Sequence, residues 1–239
     1  MDIFARKLRS LSDIRDSDLA PLRDAARDRK TITPGADIIT EGEEPEDVHL
    51  ILSGFAYRYK LTEDGLRQIF AYLLPGDFCD LHVALLNYMD HSIGTVSPCE
   101  VALIPRRKIL ALIEDHPRIA RALWLCNLVD AAVLREWLLN VGRRSADTRI
   151  AHLFCEIHER LVVVGMAEPD SFELPIPQAA LADTVGLSDV HVNRSLRALR
   201  EAGVATFRNH TVSIPNIAAL RAYAGFESSY LHLRAQPVD

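Results

Sequence analysis

A segment near the C-terminal end of the sequence carries side chains that can hydrogen-bond to the edges of DNA base pairs. Arg194 can bind guanine O6 and N7 through two hydrogen bonds, and Asn193 or His191 can bond other base edges from a helix in the major groove. Other arginines nearby have the reach to contact backbone phosphates. The full set of predicted DNA contacts is Ser188, Asp189, Val190, His191, Asn193, Arg194, Arg197, Arg200 and Arg208.

Two short helices and a tight turn are needed to hold these side chains. A first helix is predicted from Gln178 to about Val185, and Gly186 ends it because glycine accepts the positive φ of a tight turn. Ser188 is the predicted N-cap of the second helix, and Asp189 places an acid in its first turn. At i, i+4 and i+7 spacing, the buried stripe of the second helix is formed by Val192, Leu196 and Leu199.

A hairpin follows the second helix and extends this pattern. Residues 204–207 and 211–214 are β-rich and flank a turn at 208–210, and residues 172–174 can form a third strand. Helix, turn, helix and hairpin together predict a winged helix. For the two helices alone, the alternative is a helical hairpin with a solvated basic face.

The first half of the chain has a different period. Residues 1–30 are predicted to form an N-terminal arm and helix, and residues 31–105 an antiparallel, jelly-roll-like β-roll in which glycines separate short strands. The strands are predicted at 37–40, 48–53, 55–59, 68–73, 92–96 and 100–104. The fold class is therefore α+β.

A long helix is predicted to connect the two regions. Residues 106–142 contain a short helix and then a helix from 117 to about 141, and residues 142–145 are predicted to form a hinge that opens a winged-helix domain at 143–239. The long helix has a 4-3 spaced seam that we expect to form a dimer interface. Its members are Ile119, Leu123, Cys126, Asp130, Val133 and Trp137. The alternative is a core helix packed wholly within one subunit.

Composition and compartment signals are those of an ordinary globular protein. The 239 residues are 49% hydrophobic and 25% charged, with a net charge of −6. A negative average does not exclude DNA, because the local sign decides docking. Neither a signal peptide nor an apolar run of about 18 residues occurs, so we expect a cytoplasmic protein without membrane contact.

Metal or cofactor chemistry is not indicated by the spacing of cysteine and histidine. Cys79, Cys99, Cys126 and Cys155 form no CxxC motif, so neither a zinc site nor a cluster is signalled, although a redox role for one thiol stays open. A cupin-like metalloenzyme, the alternative from another class, needs a His-x-His motif. The β segment has only isolated histidines, which we expect to be ordinary hydrogen-bonded residues: His49, His82 and His91. Ligation of haem or a metal ion by His82 and His91, or by Cys79, stays open as the less favoured alternative, and no metal, cofactor or enzymatic activity is predicted.

The order of β-roll, long helix and winged helix resembles the CRP/FNR family of bacterial transcription regulators. The most specific match is the stretch 186–200 with Gly203 and the hairpin, and further landmarks are glycines at 35, 42 and 54 and the stretches 74–78 and 98–102. The resemblance implies a homodimer that binds a near-palindromic DNA site with half-sites about one helical turn apart, and RNA polymerase as a further partner.

Within this resemblance, Arg194 stands at the position of the family's base-contacting arginine. Val190 stands where many members carry a glutamate that reads cytosine, and Asp189 stands where the cyclic-AMP receptor has an arginine. Valine cannot accept a hydrogen bond from cytosine but can touch a thymine methyl group, so an altered half-site is expected.

The sensor region departs further from the family pattern. Cyclic-nucleotide-binding members use a Gly-Glu pair for the ribose and an arginine for the phosphate, whereas the corresponding stretches here are 79–81 and 89–91, with no arginine between Arg67 and Arg106. A response to cyclic AMP is therefore not expected, because a buried phosphate needs a cation. An iron–sulfur cluster bound by N-terminal cysteines is excluded, since the first cysteine is Cys79. An unknown small-molecule effector, or a helix-turn-helix that serves protein contacts, stays open.

Overall fold

The N-terminal region contains more structure than an arm and one helix. The computed structural model describes residues 3–234, beginning with α1 (Ile3–Leu11), α2 (Asp16–Ala25) and β1 (Asp28–Ile32). The prediction for residues 1–30 missed β1 because this strand is polar and exposed except at Ile32. Backbone pairing with the last strand of the β-roll positions it, and that pairing leaves no hydrophobic signal in the sequence.

The β-roll consists of two antiparallel sheets, as predicted. Its further strands are β2 (Asp37–Ile39), β3 (Asp47–Ser53), β4 (Ala56–Leu61), β5 (Arg67–Leu73), β6 (Ser92–Thr95) and β7 (Cys99–Pro105). The sheets have the orders β1-β7-β3 and β2-β6-β4-β5, and a 3-10 turn at Leu81–Ala84 precedes β6. Gly54 has φ +85°, and a Cβ there would lie 2.2 Å from the carbonyl oxygen of Pro98, so only glycine fits this turn.

Two helices follow the β-roll: α3 (Arg106–Asp115) and α4 (Pro117–Arg143). Helix α4 continues through Gly142 to Arg143, so the chain bends at the end of the predicted hinge 142–145 and not at Gly142. The chain leaves the helix at Arg144, which has extended backbone angles, and Ser145 is the N-cap of the next helix as predicted. Gly142 stays helical because its amide takes part in the regular ladder, and the cost of glycine there is only about 1 kcal/mol.

The predicted dimer seam of α4 lies inside the subunit. Ile119, Leu123, Val133 and Trp137 are each less than 6% exposed and belong to the subunit's own core. Of the remaining members, Cys126 is partly buried and Asp130 pairs with Arg58 of β4. The prediction of partner contacts is therefore wrong for Ile119, Leu123, Val133 and Trp137, and it stays a prediction for Cys126 and Asp130, which remain partly accessible. The most apolar stripe of the helix was taken for the outer one, whereas the β-roll and the following helix cover it.

The C-terminal region forms the predicted winged helix. Its elements are α5 (Ala146–Val164), β8 (Ala167–Glu168), β9 (Ser171–Glu173), α6 (Gln178–Val185), α7 (Asp189–Glu201), β10 (Thr206–Arg208), β11 (Thr211–Ser213) and α8 (Ile217–Ala224). The strands form one antiparallel sheet in the order β10-β11-β9-β8. Where the sequence predicted only a tail, α8 and a 3-10 turn at Ser228–Leu231 cover α5 and α4.

The β-roll and the winged helix share one hydrophobic core. Tyr59, Ile69 and Tyr72 of the β-roll belong to the same buried cluster as the apolar residues of α5 to α8. At this junction the hydroxyl of Tyr72 lies 2.6 Å from Oγ1 of Thr184, and Arg67 pairs with Asp183 at 2.7 Å. Strand β5 therefore fixes α6, the first helix of the helix-turn-helix, against the β-roll.

A buried charge network also joins the N-terminus, the β-roll and α5. Arg160 of α5 lies 2.7 Å from the carboxylate of Asp77, and Lys7 of α1 lies 3.0 Å from the same group. Burial alone would raise the pKa of Asp77, but the two cations outweigh it and hold that pKa well below its usual range. The carboxylate thus stays charged and ties three elements together.

Candidate nucleic-acid interface

Helix α7 exposes the face that the sequence assigned to DNA. Val192 and Leu199 are buried and Leu196 is half-buried, so the predicted inner stripe is confirmed. Ser188 is the N-cap residue, but its hydroxyl lies 2.8 Å from Nδ1 of His191 and does not bond a backbone amide. The contact positions His191 at the start of the helix.

Some outward residues of α7 already form hydrogen bonds or ion pairs within the subunit, and others do not. Asn193 donates its amide to the carbonyl oxygen of Asp189 at 3.0 Å, and Arg197 pairs with Glu201 at 2.8 Å. Among the described residues, the exposed guanidinium of Arg194 has no hydrogen bond or ion pair. Arg194 can therefore bind an external acceptor without first losing an internal one.

Val190 is 77% exposed, which is unusual for a valine in a folded domain. It lies four residues before Arg194, on the same face of α7. A contact with a thymine methyl group would bury it, as the sequence analysis suggested.

A cleft of about 510 Å³ separates α7 from the wing. Its polar lining includes the predicted residues Asn193, Arg197, Arg200 and Arg208. The wing turn consists of Asn209 and His210, both with positive φ, as in the type I′ turns of two-residue hairpins. Residues of the cleft that sequence reasoning did not single out are Gln178, Asn209 and His210.

A second cavity, of about 340 Å³, lies between the β-roll and α4. Arg58 lines it and is buried, and its guanidinium donates to the carbonyl oxygens of Phe78 and Cys79 and to the carboxylate of Asp130. Burial lowers the pKa of Arg58, but the Asp130 carboxylate together with Cys79 and Asp77 leaves that pKa above its ordinary value. This cation precedes Arg67 in the chain, outside the stretch 67–106 in which a phosphate-binding arginine was expected.

Two histidines that are nine residues apart meet in the same cavity. The ring centroids of His82 and His91 are 5.6 Å apart, and Nδ1 of His91 lies 2.6 Å from the carboxylate of Asp90. Burial lowers the pKa of both histidines. No sequence motif signalled this cluster, because a turn and a strand bring its members together only in the folded chain.

The four cysteines are free thiols. Cys79, Cys99 and Cys155 are buried and Cys126 is partly buried. Burial raises the pKa of Cys99 to about 11 and that of Cys126 to about 12, so these groups carry little thiolate at neutral pH. Within the described part of the chain, no helix is long and apolar enough to span a bilayer.

Comparison with known proteins assigns both halves of the chain. Residues 29–116 match the family model of the cyclic nucleotide-binding domain, and residues 148–223 match that of the Crp-like helix-turn-helix domain. A nitrogen fixation regulation protein FixK from Bradyrhizobium diazoefficiens is 29% identical over 82% of this chain and 81% of its own length. A probable transcriptional activator from Rhizobium leguminosarum bv. viciae is 30% identical over 76% and 74%, respectively.

A solved structure has the same architecture. FixK2 from Bradyrhizobium japonicum superimposes with a TM-score of 0.74 at 25% identity, covering 82% of this chain and 96% of that one. Sequence relatives, family models and fold agree over both domains. The chain therefore belongs to the CRP/FNR family of transcription regulators.

Proposed function

We propose that the protein acts as a homodimer that binds a near-palindromic DNA site with one α7 helix per subunit. The observation that carries this proposal is the exposed, unengaged guanidinium of Arg194 beside the 77% exposed Val190. A helix that presents a free arginine and an apolar side chain on one face can read a guanine and a thymine methyl group together.

The arginines around the cleft would bind phosphates. Arg200 and Arg208 are exposed on its two sides. Arg197 would have to leave Glu201, but ion pairs between such exposed side chains contribute only about 0–1 kcal/mol. A phosphate contact therefore replaces this pair at little cost. The acids at the helix start and end, Asp189 and Glu201, limit the local positive charge and favour specific over nonspecific binding.

The outer face of α4 is the proposed dimer interface, in place of the buried seam. Trp124 is 70% exposed and Leu138 is 74% exposed, which is unusual for side chains of this size on a monomer surface. They belong to a stripe with regular 4-3 spacing. This stripe, called the outer seam below, consists of Ala120, Trp124, Asn127, Ala131, Leu134, Leu138 and Val141.

Insensitivity to cyclic AMP is also part of the proposal. Three acceptors already occupy Arg58, and the carboxylates of Asp90 and Asp130 line the same cavity and would repel a phosphate. RNA polymerase is proposed as a partner because a transcription regulator acts through it. An effector other than cyclic AMP would act in this cavity, which contacts α4.

Selection of bound duplexes from random DNA, followed by affinity measurements, tests the function. Replacing Arg194 with alanine should weaken binding to the selected site about 5- to 150-fold and relax the preference at one position of each half-site. Arg208→Ala should weaken binding to all DNA sequences alike. It should also lower, by about one, the slope of the logarithm of the binding constant against the logarithm of the salt concentration. Arg107→Ala, on the exposed surface of α3, is the matched control.

Two results would reject this function. Unchanged site preference in the Arg194→Ala variant would remove the residue from base recognition. Failure to select any sequence, with binding that does not respond to salt, would favour the alternative in which the helix-turn-helix contacts another protein.

A further inference from the structure

We propose that the cavity between the β-roll and α4 binds a divalent transition-metal ion through His82, Asp90 and His91. One ring nitrogen of each histidine and a carboxylate oxygen of Asp90 all lie within 4.8 Å of one another. An ion like Zn²⁺ bound by three such atoms would lie about 2.0–2.2 Å from each, so the side chains would have to close around it. Metal binding does not depend on the DNA-binding function proposed above.

Two buried nitrogen atoms in this cluster lack partners. Nε2 of His82 and Nε2 of His91 are both inaccessible, and neither has a hydrogen-bond partner among the described residues. His91 as a whole is only 8% exposed. A buried polar atom without a hydrogen-bond partner is energetically unfavourable. A metal ion bound by both imidazoles would remove this cost.

The hydrogen bond between Asp90 and His91 prepares the imidazole as a ligand. Its length is 2.6 Å and it uses Nδ1 of His91. An ionised carboxylate accepts the Nδ1 proton, so Nε2 carries the free lone pair. Because Asp90 lies on the Nδ1 side of the ring, its largely exposed carboxylate would have to turn away from Nδ1 to ligate an ion bound at Nε2.

The charge balance of the cavity favours a cation. Arg58 is neutralised by Asp130, and Lys60 pairs with Glu41 at 2.8 Å. Asp90 is therefore the acidic group of the lining that no lysine or arginine neutralises among the described residues.

The types of the three ligand atoms indicate which metal ions would bind. Two imidazoles and one carboxylate suit Zn²⁺, Fe²⁺, Co²⁺ or Ni²⁺, whereas Mg²⁺ and Ca²⁺ prefer oxygen ligands. Three protein ligands leave coordination positions open for water. The same cavity is lined by Asn127, Asp130 and Leu134 of α4, so a bound ion lies against the helix that carries the outer seam.

Titration of the chelator-treated full-length protein tests the site. Calorimetry with Zn²⁺ and absorption spectra with Co²⁺ should both show stoichiometric binding of a single ion per chain, and Mg²⁺ should not compete. His82→Gln and His91→Gln should each weaken Zn²⁺ binding about 10-fold or more. His116→Gln, which alters a partly buried histidine outside the cavity, should leave the affinity unchanged.

A third variant separates loss of ligation from loss of folding. Asp90→Asn changes a carboxylate with 74% of its side chain exposed, so the fold should persist while Zn²⁺ affinity falls. Absence of stoichiometric binding in the wild type would overturn the proposal. So would equal Zn²⁺ affinity in the wild type and in all three cavity variants. Because no DNA is present, either failure leaves the DNA-binding proposal untouched.

Discussion

At the scale of single residues, Arg58 and Arg194 differ in whether their guanidinium groups already have hydrogen-bond acceptors. Arg58 is buried and its hydrogen bonds to two carbonyl oxygens and the Asp130 carboxylate stabilise the junction of β-roll and α4. Arg194 is exposed, and the described residues offer it no such acceptor. The first arginine is structural, and the second is free to recognise a ligand.

His152 should make the free energy of unfolding depend on pH. Its side chain is fully buried, stacked on Tyr230 and packed against Phe226. Burial and the nearby Arg144 lower its pKa from 6.5 to about 4, although Glu136 opposes the shift. The unfolded chain therefore binds a proton first as pH falls. The resulting stability is complete above about pH 6.5 and is lost progressively towards pH 4.

The size of this effect can be measured by urea unfolding. Between pH 7 and pH 5, protonation of His152 in the unfolded chain should cost the wild type about 2 kcal/mol of unfolding free energy. His152→Phe keeps an aromatic ring but cannot bind a proton, so its loss over the same interval should be smaller by that amount. Identical pH dependence in the two proteins would show that His152 is not the group responsible.

At the scale of elements, α4 has two apolar stripes, one buried within the subunit and one exposed. The inner stripe packs on the β-roll and α5, whereas the outer seam leaves Trp124 and Leu138 at the surface. We predict that Leu138→Glu converts the proposed dimer into monomers, because dimerisation would bury an unpaired carboxylate. The dissociation constant should rise at least about 100-fold, as measured by analytical ultracentrifugation.

A matched control distinguishes a lost interface from a general effect of added charge. Leu66→Glu introduces the same group at a leucine that is 66% exposed in the β4–β5 turn, outside α4. It should leave the dimer intact. A Leu138→Glu variant that remains dimeric would place the interface elsewhere on the chain.

The two stripes of α4 illustrate which features of the fold can be predicted from the sequence and which cannot. Strands with alternating residues and the Gly186 turn were predictable because their local signals are strong. Periodicity finds both apolar stripes of α4, but it does not say which one the rest of the subunit covers. Strand β1 was missed because its pairing involves the backbone alone, and the cluster of His82, Asp90 and His91 forms only through tertiary contacts.

At the scale of the whole molecule, the predicted boundary at residue 143 does not divide the core. Buried residues of β4 and β5 continue into the core of α5 to α8, and α6 contacts β5 directly. We propose that an effector bound in the β-roll would shift α6 and α7 through strand β5 as well as through α4. The shared core would then be the physical connection between ligand binding and DNA binding.

Apolar packing, more than the ion pair across the junction, should hold the two regions together. Ile69 of β5 is fully buried, and replacing a buried isoleucine with alanine costs about 2–5 kcal/mol. Arg67 and Asp183 are about one-third exposed, and pairs near the surface contribute about 0–1 kcal/mol. We therefore predict a large loss of stability in Ile69→Ala and a small one in Arg67→Gln.

Hydrogen exchange can locate these losses along the chain. If the shared core makes the molecule one cooperative unit, Ile69→Ala should lower the protection of amides in α6 and in β4 by similar free energies. Arg67→Gln, the control at the same junction, should change both by less than about 1 kcal/mol. Loss of protection in β4 with α6 unchanged would show that the winged helix is stable by itself and that β5 does not transmit changes to it.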